Sequence, residues 1–334
     1  MSEPGFAGAT LVMRVCVTGG TGFLGAFLVP KLLAQGATVQ VLARASRRAD
    51  ELEAAGAEVI RGDLGNPESI SNAVSGADIV YHLAAKVGSP GRTKDYFETN
   101  VAGTERVLAA CAKHRVGQLV YASSLAVYGP VNEGERIDER TPLDDKPELR
   151  DAYAESKIAA DHVVSSFALQ TGLPTLIVRP GIIFGPGRQL PIGILGFRLG
   201  RNDVVFGDPN HRIPLNYVEN LADAMVTAAA HGKGLRQFNV LDDDELTLGR
   251  YHEIRNEVEH SATRFSSGWP LVVASPFAEA LRPLIAMGDT RLSRHQIRRA
   301  LQNRWFDTSL IRTETGWAPR VSLREAVERT VNVA

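Results

Sequence analysis

From Met13 onward, short runs that are apolar on both faces alternate with segments whose apolar positions recur every three to four residues. The runs are VCVTGG, ATVQVLAR, AEVIRGDL, DIVYHLAA, QLVYASS and PTLIVRPG; the helical segments include FLGAFLVPKLLAQG and NVAGTERVLAACAKH. A strand without a polar face must be covered on both sides, and intervening helices supply that cover. The pattern therefore predicts the α/β class with a doubly wound parallel sheet. Gly36 suits the residue that ends the first helix, and Pro30 is expected to kink or delay that helix.

After Pro180 the alternation weakens and Gly and Pro become frequent. A strand-like QFNVLD, the apolar but Pro-broken stretch WPLVVASPFAEALRPLIAM (269–287) and a helical SLREAVERTV follow. This divides the chain into a sheet domain over 13–180 and a smaller C-terminal substrate lobe, mainly 181–334, with some elements returning to the sheet domain. Residues 1–12 read as an extension outside the fold.

The chain has 334 residues, is 44% hydrophobic and 22% charged, and carries a formal net charge of -1. Such a balance offers no field for a polyanion or a lipid surface, which excludes nucleic acid and the membrane as main partners. No apolar run approaches the roughly 18 residues of a spanning helix, and the N-terminus does not read as a secretory signal. Cys16 and Cys111 read as small buried hydrophobes without metal-ligand spacing, which fits a cytoplasmic, metal-free protein.

The first candidate chemistry is the run TGGTGFLG, in which Gly19, Gly20, Gly22 and Gly25 follow an apolar strand and open a helix. A β-carbon there would block a tight turn, the approach of backbone to a pyrophosphate, or helix-strand packing. The helix N-terminus, with Gly19, Gly22, Phe23, Leu24 and Gly25, would offer free N–H groups to phosphate. At the end of the next strand an acid would bind the ribose hydroxyls of NAD, but here Ala43 and Arg44 precede Arg47 and Arg48. Guanidinium groups suit a further phosphate, so the expected cofactor is NADP, with NAD as the alternative. Asp63 in RGDL either meets the adenine amino group or caps the helix starting near Pro67.

The second is YAESK, which sets Tyr153 and Lys157 one turn apart on a helix. A phenol is a poor base near neutrality unless a neighbouring ammonium favours its ionised form. Ser124, at the end of the strand QLVYASS, is placed to polarise a carbonyl.

Taken together, TGGTGFLG, RGDL, YHLAA, NVAGTERVL, SSLAVYG, YAESK, VRPGIIFGPG and the terminal TGWAPRVSLREAV closely resemble the extended short-chain dehydrogenase/reductase family, the NAD-dependent epimerase/dehydratase group. The resemblance implies a Rossmann domain with a smaller C-terminal substrate lobe. It makes Ser124 the group that orients the substrate oxygen and Tyr153 the general acid/base, while Lys157 holds the nicotinamide ribose. Asn100 would shape the site near the nicotinamide. Leu64, Leu83, Ala84, Ala85, Pro180 and Ile183 would join the cofactor site, and pairing of two helices could give a homodimer.

Family members either reduce and oxidise a small-molecule substrate or return the hydride within one turnover. The acid pair that dehydratases carry beside SSLAVYG is absent, and the segment after Arg179 is apolar where sugar-nucleotide epimerases hold a diphosphate. Arg212 is left as a lone candidate phosphate clamp, and 269–287 as a candidate apolar cover. The expectation is an NAD(P)-dependent secondary-alcohol dehydrogenase or ketone reductase, with a nucleotide-sugar epimerase and a non-catalytic NAD(P)-binding regulator as alternatives.

Overall fold

The computed structural model describes residues 12–88, 92–132, 134–188, 190–192, 196–200, 202–267 and 301–332. The extension before Val12 and the stretch 269–287 lie outside the described residues.

Each predicted run forms a strand: β1 (Arg14–Thr18), β2 (Thr38–Ala43), β3 (Glu58–Arg61), β4 (Ile79–His82) and β5 (Gln118–Ala122). After a short β6 (Arg136–Ile137) comes β7 (Thr175–Pro180). Helices α1 (Gly25–Ala34), α2 (Arg47–Ala54), α3 (Pro67–Val74), α4 (Thr93–Phe97), α5 (Gly103–His114) and α6 (Ala152–Thr171) lie between them. Later come β8 (Ile182–Phe184), β9 (Gly196–Leu199), β10 (Asn202–Phe206), β11 (Leu215–Tyr217), α7 (Val218–Ala229) and β12 (Leu235–Val240). The described chain closes with α8 (Leu248–Glu259), β13 (Ala262–Ser266), β14 (Trp305–Phe306), α9 (Ser309–Thr315) and α10 (Leu323–Val331).

Seven parallel strands form the central sheet in the order β12-β7-β5-β4-β1-β2-β3. QFNVLD thus completes this sheet as an edge strand. Because side chains alternate across a strand, Val15 and Val17 enter one buried layer and Cys16 the other. The first layer is filled by Leu28 and Leu32 of α1, Met225 of α7 and Ile311 of α9; the second by Ile70 of α3, Val107 and Cys111 of α5 and Val164 of α6. A third cluster joins Phe184, Val205, Tyr217, Tyr251 and Val327, uniting β8, β10, β11, α8 and α10 as a separate lobe core.

Pro30 neither delays nor ends α1, which continues through it to Ala34. The carbonyl it leaves without a donor belongs to Ala26, and Ala26 and Pro30 share the exposed face, where water can bond that oxygen. Gly36 follows the helix with φ +81°, as a left-handed stop requires.

One buried polar chain ties the elements that carry the site. Arg179 of β7 grips Asp161 of α6 through Nε (3.1 Å) and Nη2 (2.8 Å), with only 2% and 1% of the two side chains exposed. The Ser123 hydroxyl, at the end of β5, donates to the same carboxylate at 2.6 Å. Arg179 Nη1 donates to Tyr128 Oη (2.8 Å), whose proton goes to Asn239 Oδ1 of β12 (2.8 Å). Removing one member of such a pair strands a charge without water. Asp161→Ala is expected to cost about 3–5 kcal/mol by urea denaturation, and the double variant Asp161→Leu/Arg179→Met should cost less. A double variant weaker than the single one would show that the charges themselves are required.

Candidate active site

The turn between β1 and α1 depends on absent side chains. A β-carbon on Gly25 would lie 2.4 Å from the Gly19 carbonyl oxygen. Gly19 has φ +76°, and its β-carbon would lie 2.6 Å from the Ala84 nitrogen at the end of β4. The first helical bond runs from Ala26 N to Gly22 O at 3.0 Å. The amides of Phe23, Leu24 and Gly25 make no hydrogen bond among the described residues and border a cavity of about 1490 Å³. Free amides at a helix start form an anion site.

That cavity runs along the C-terminal ends of the strands. Gly19, Gly22, Phe23, Leu24, Gly25, Arg44, Asp63, Leu64, Leu83, Ala84 and Ala85 line it, together with Ser124, Tyr153, Lys157, Pro180 and Ile183. Arg47 and Arg48 do not belong to the lining: Arg47 pairs with Glu51 on the surface of α2 (2.9 Å), and Arg48 donates to the Thr21 carbonyl (3.2 Å). Asp63 is not a helix cap; its carboxylate accepts from Gly65 N at 2.7 Å, and Asn66 caps α3 instead. Asn100 does not line the cavity either. It is buried in the π-helical turn Glu98–Ala102, accepts from Lys86 N (2.7 Å) and donates to Ser156 Oγ (2.8 Å), so it ties the loop after β4 to α6.

Helix α6 begins at the Asp151 cap, whose carboxylate accepts from Ala154 N (2.9 Å). Tyr153 and Lys157 follow one turn apart, as their spacing predicts. Ser124 and Tyr153 line the same cavity; burial and, less, the Asp151 carboxylate push the Tyr153 phenol up, while the Ser124 hydroxyl and the Arg188 guanidinium act against that rise. Lys157 Nζ donates to the Ala122 carbonyl (2.6 Å) and to Tyr121 Oη (2.8 Å). Burial lowers its amine to about 7, with Asp161 opposing. The ammonium is thus anchored on the end of β5, and the groups found to lower the phenol are Ser124 and Arg188.

His82, in YHLAA, clamps the sheet edge behind these groups. Thr104 gives its hydroxyl proton to the Asn100 carbonyl (2.7 Å), so His82 Nε2 donates to Thr104 (2.9 Å) and Nδ1 accepts from Thr18 (2.6 Å). Burial holds this imidazole neutral, at about 3. Sequence reasoning missed Ser123, His82, Asp161 and Arg179 as supports, although Asp161 stands one turn beyond Lys157, a spacing that could have flagged it. Arg212, read as a lone charge, pairs with Glu245 (2.6 Å) and lies over the Trp305 ring at 4.5 Å. Among the described residues no helix is long and apolar enough to cross a membrane, and no cluster of metal-ligating side chains is present.

Residues 15–240 match the model of the NAD dependent epimerase/dehydratase family. The chain is 32% identical to a 2-alkyl-3-oxoalkanoate reductase of Stenotrophomonas maltophilia, over 95% of this chain and 98% of that protein. It is 36% identical to a 3 beta-hydroxysteroid dehydrogenase/Delta 5-->4-isomerase of Mycobacterium tuberculosis, over 65% of this chain and 60% of the relative. Its fold is similar to that of UDP-glucuronic acid 4-epimerase from Bacillus cereus, solved with NAD, at a TM-score of 0.71 and 18% identity over 96% and 98% of the two chains.

The lowered Lys157 amine has a consequence for stability. Its folded value, about 7, lies below its ordinary 10.5, so the unfolded chain holds a proton between those limits that the folded chain lacks. Stability therefore rises with pH across that window, and the penalty is full below it. Lys157→Met should stabilise the cofactor-free protein most below pH 7, by at most about 5 kcal/mol, with the gain shrinking toward pH 10.5. Urea titrations at pH 6, 8 and 10 check the trend; a gain that grows with pH would refute it.

Proposed function

The chain belongs to the NAD dependent epimerase/dehydratase family, and from that membership and the gathering of Ser124, Tyr153 and Lys157 on one cavity we propose an NAD(P)-dependent reductase that interconverts a ketone and a secondary alcohol. The observation that carries the reading is that Ser124, Tyr153 and Lys157 line one cavity with the glycine turn, at the C-terminal edge of the sheet. A regulator has no use for a proton relay in that position.

The residues present fit a nicotinamide dinucleotide. The unbonded amides of Phe23, Leu24 and Gly25 would hold its pyrophosphate. Asp63, Leu64 and Arg44 would border the adenosine half, and Leu83, Ala84 and Ala85 would line its path toward Tyr153 and Lys157. Pro180 and Ile183 would support the nicotinamide face. When bound, the nicotinamide supplies or accepts the hydride at the substrate carbon.

The chain's own residues handle the proton. In reduction, the Ser124 hydroxyl donates a hydrogen bond to the carbonyl oxygen while Tyr153 gives that oxygen its proton. The phenolate left behind is stabilised by Ser124 and by Arg188. Lys157, fixed on Ala122 and Tyr121, holds positive charge at the strand end and would bond the nicotinamide ribose. In oxidation the same groups act in reverse.

The named substrates of the two relatives are an oxoalkanoate and a steroid, and both names support ketone/alcohol chemistry here. Tyr153→Phe is expected to lower kcat by about 10²–10⁴-fold while the affinity for NADPH changes little. Steady-state absorbance of the nicotinamide with a panel of ketones, beside fluorescence titration, reads both. Conversion of a UDP-hexose without net nicotinamide change would replace the reductase by an epimerase.

Arg44, at the end of β2 and on the cavity wall, favours NADP over NAD. Arg44→Ala should weaken NADPH binding by about tenfold or more and leave NADH within about twofold, in line with one charge-assisted hydrogen bond. Equal losses for both dinucleotides would count against a phosphate contact.

A further inference from the structure

Resting on the reading of Ser124 as the group that polarises the carbonyl and of Tyr153 as its proton donor, we propose that Arg150 is the positioning residue that sets these two hydroxyls at their working separation. Arg150 directly precedes Asp151, the cap of α6, so its backbone belongs to the entry of the helix that carries Tyr153. Its side chain reaches the other way, to the turn that follows Ser124. Nη2 donates to Ala126 O (2.8 Å) and Nη1 to Tyr128 O (3.3 Å). Nη1 also donates to the Asp144 carboxylate, in an ion pair with only 5% and 2% of the two side chains exposed.

That turn decides where the Ser124 hydroxyl points. Ser124 is extended (φ -164°, ψ 149°), and its Oγ accepts from Ala126 N at 3.1 Å at the start of the 3-10 turn Leu125–Val127. A hydroxyl whose lone pair is taken by an amide keeps its own proton to donate, and the amide sets the direction of that donor. Ala126 thus carries both ends of the linkage: its N–H fixes Ser124, and its carbonyl is held by Arg150. A shift of Ala126 moves the partner of the serine with it.

Other donors hold the rest of the segment. Asp144 N donates to Val127 O (2.9 Å), and Arg304 Nη2 donates to Tyr128 O (3.2 Å) and Gly129 O (3.1 Å). Among the described residues Arg150 is the donor to Ala126 O, and the same residue opens the helix of Tyr153. A planar fork suits this task, because it can hold two carbonyls at once while a carboxylate fixes its plane; an ammonium is a point charge without a plane. Both protons of Nη1 and one of Nη2 are spent inside the protein, so Arg150 acts on the reaction through Ser124. Placement of this kind matters, since a displacement of about 1 Å at a reacting group costs on the order of 10²-fold in rate.

The test is a cycle of variants of the full chain, with NADPH and a panel of ketones. Removing Arg150 alone would strand the Asp144 charge, so both charges are removed as Arg150→Met/Asp144→Asn, in which residue 144 can still accept from Lys146 N (3.1 Å). This change should lower kcat about 30-fold and leave KM and NADPH affinity within about threefold. In a Ser124→Ala background the same change should lower kcat by less than about threefold, because the hydroxyl it orients is gone. Arg150→Lys keeps the charge opposite Asp144 without the fork; it should lower kcat by an intermediate factor that also vanishes without Ser124, and it serves where the paired change fails to fold. An unchanged kcat, equal losses with and without Ser124, or a loss carried by KM, which would make Arg150 a substrate contact, would each overturn the proposal. If no ketone turns over, the reductase reading fails by itself, and hydrogen exchange of the NADPH complex decides the positioning. Peptides covering 124–129 should then exchange at least about tenfold faster in the paired variant, while those covering β5 and β7 keep their protection. Unaltered exchange over 124–129, or loosening that spreads through the sheet, overturns it.

Discussion

The ion pair between Asp161 and Arg179 is the contact on which the geometry of the site depends. It joins the helix that carries Tyr153 and Lys157 to β7, and through Ser123 it reaches the residue beside Ser124. Through Tyr128 and Asn239 it extends to the edge strand β12. Two buried charges contribute little net stability compared with apolar packing, but they are selective about direction, because a fork and a carboxylate meet well in few orientations. An apolar contact at the same place would tolerate a slide of α6 along the sheet. A bidentate pair fixes its register, and with it the place of Tyr153 on the cavity that Ser124 also lines.

The same sheet edge concentrates groups that burial has shifted. Lys157 is lowered, Tyr153 is raised, and His82 is held neutral, each mainly because water is excluded. These shifts oppose the charged forms that proton transfer needs. What offsets them is local: a serine hydroxyl and a guanidinium act on the phenol, and the Asp161 carboxylate acts on the amine. The amine, at about 7, is poised, since a small change in the charge nearby moves it across neutrality, whereas the raised phenol keeps its proton.

The sheet was legible because its strands are apolar on both faces and its helices keep a 3.6-residue period, two signals that survive without any knowledge of neighbours. The turn at Gly19–Gly25 and the Tyr153–Lys157 spacing were legible for the same reason, being local. The supports were not. Arg179 sits in a strand that reads as apolar, and its partner Asp161 lies on a helix 18 residues earlier; nothing local states that the two meet. Asn100 was picked out by its motif, yet its contacts run to the Lys86 backbone and to Ser156, behind the cavity wall, which only the fold reveals. The helix is not delayed by Pro30, because the carbonyl left without a donor lies on its exposed face. Arg47 and Arg48 lie close to Arg44 in sequence, but α2 turns them toward Glu51 and Thr21.

The two ends of the cavity are built by different means. At the glycine turn the donors are backbone amides, whose position is set by the absence of side chains, so a β-carbon at Gly19 or Gly25 would meet backbone that cannot yield. Beyond Ser124 main-chain carbonyls accept from arginine side chains, so the shape of that turn rests on side chains that can be exchanged. An end built from backbone suits a phosphate group that does not vary, whereas an end shaped by side chains suits a substrate that does. The segment bearing Arg304 and Trp305 also pairs β14 with β6, and Trp305 lies under Arg212. A change in that segment would therefore reach two cavity-lining guanidinium groups while leaving the sheet, the phenol and the amine where Asp161 and Arg179 hold them.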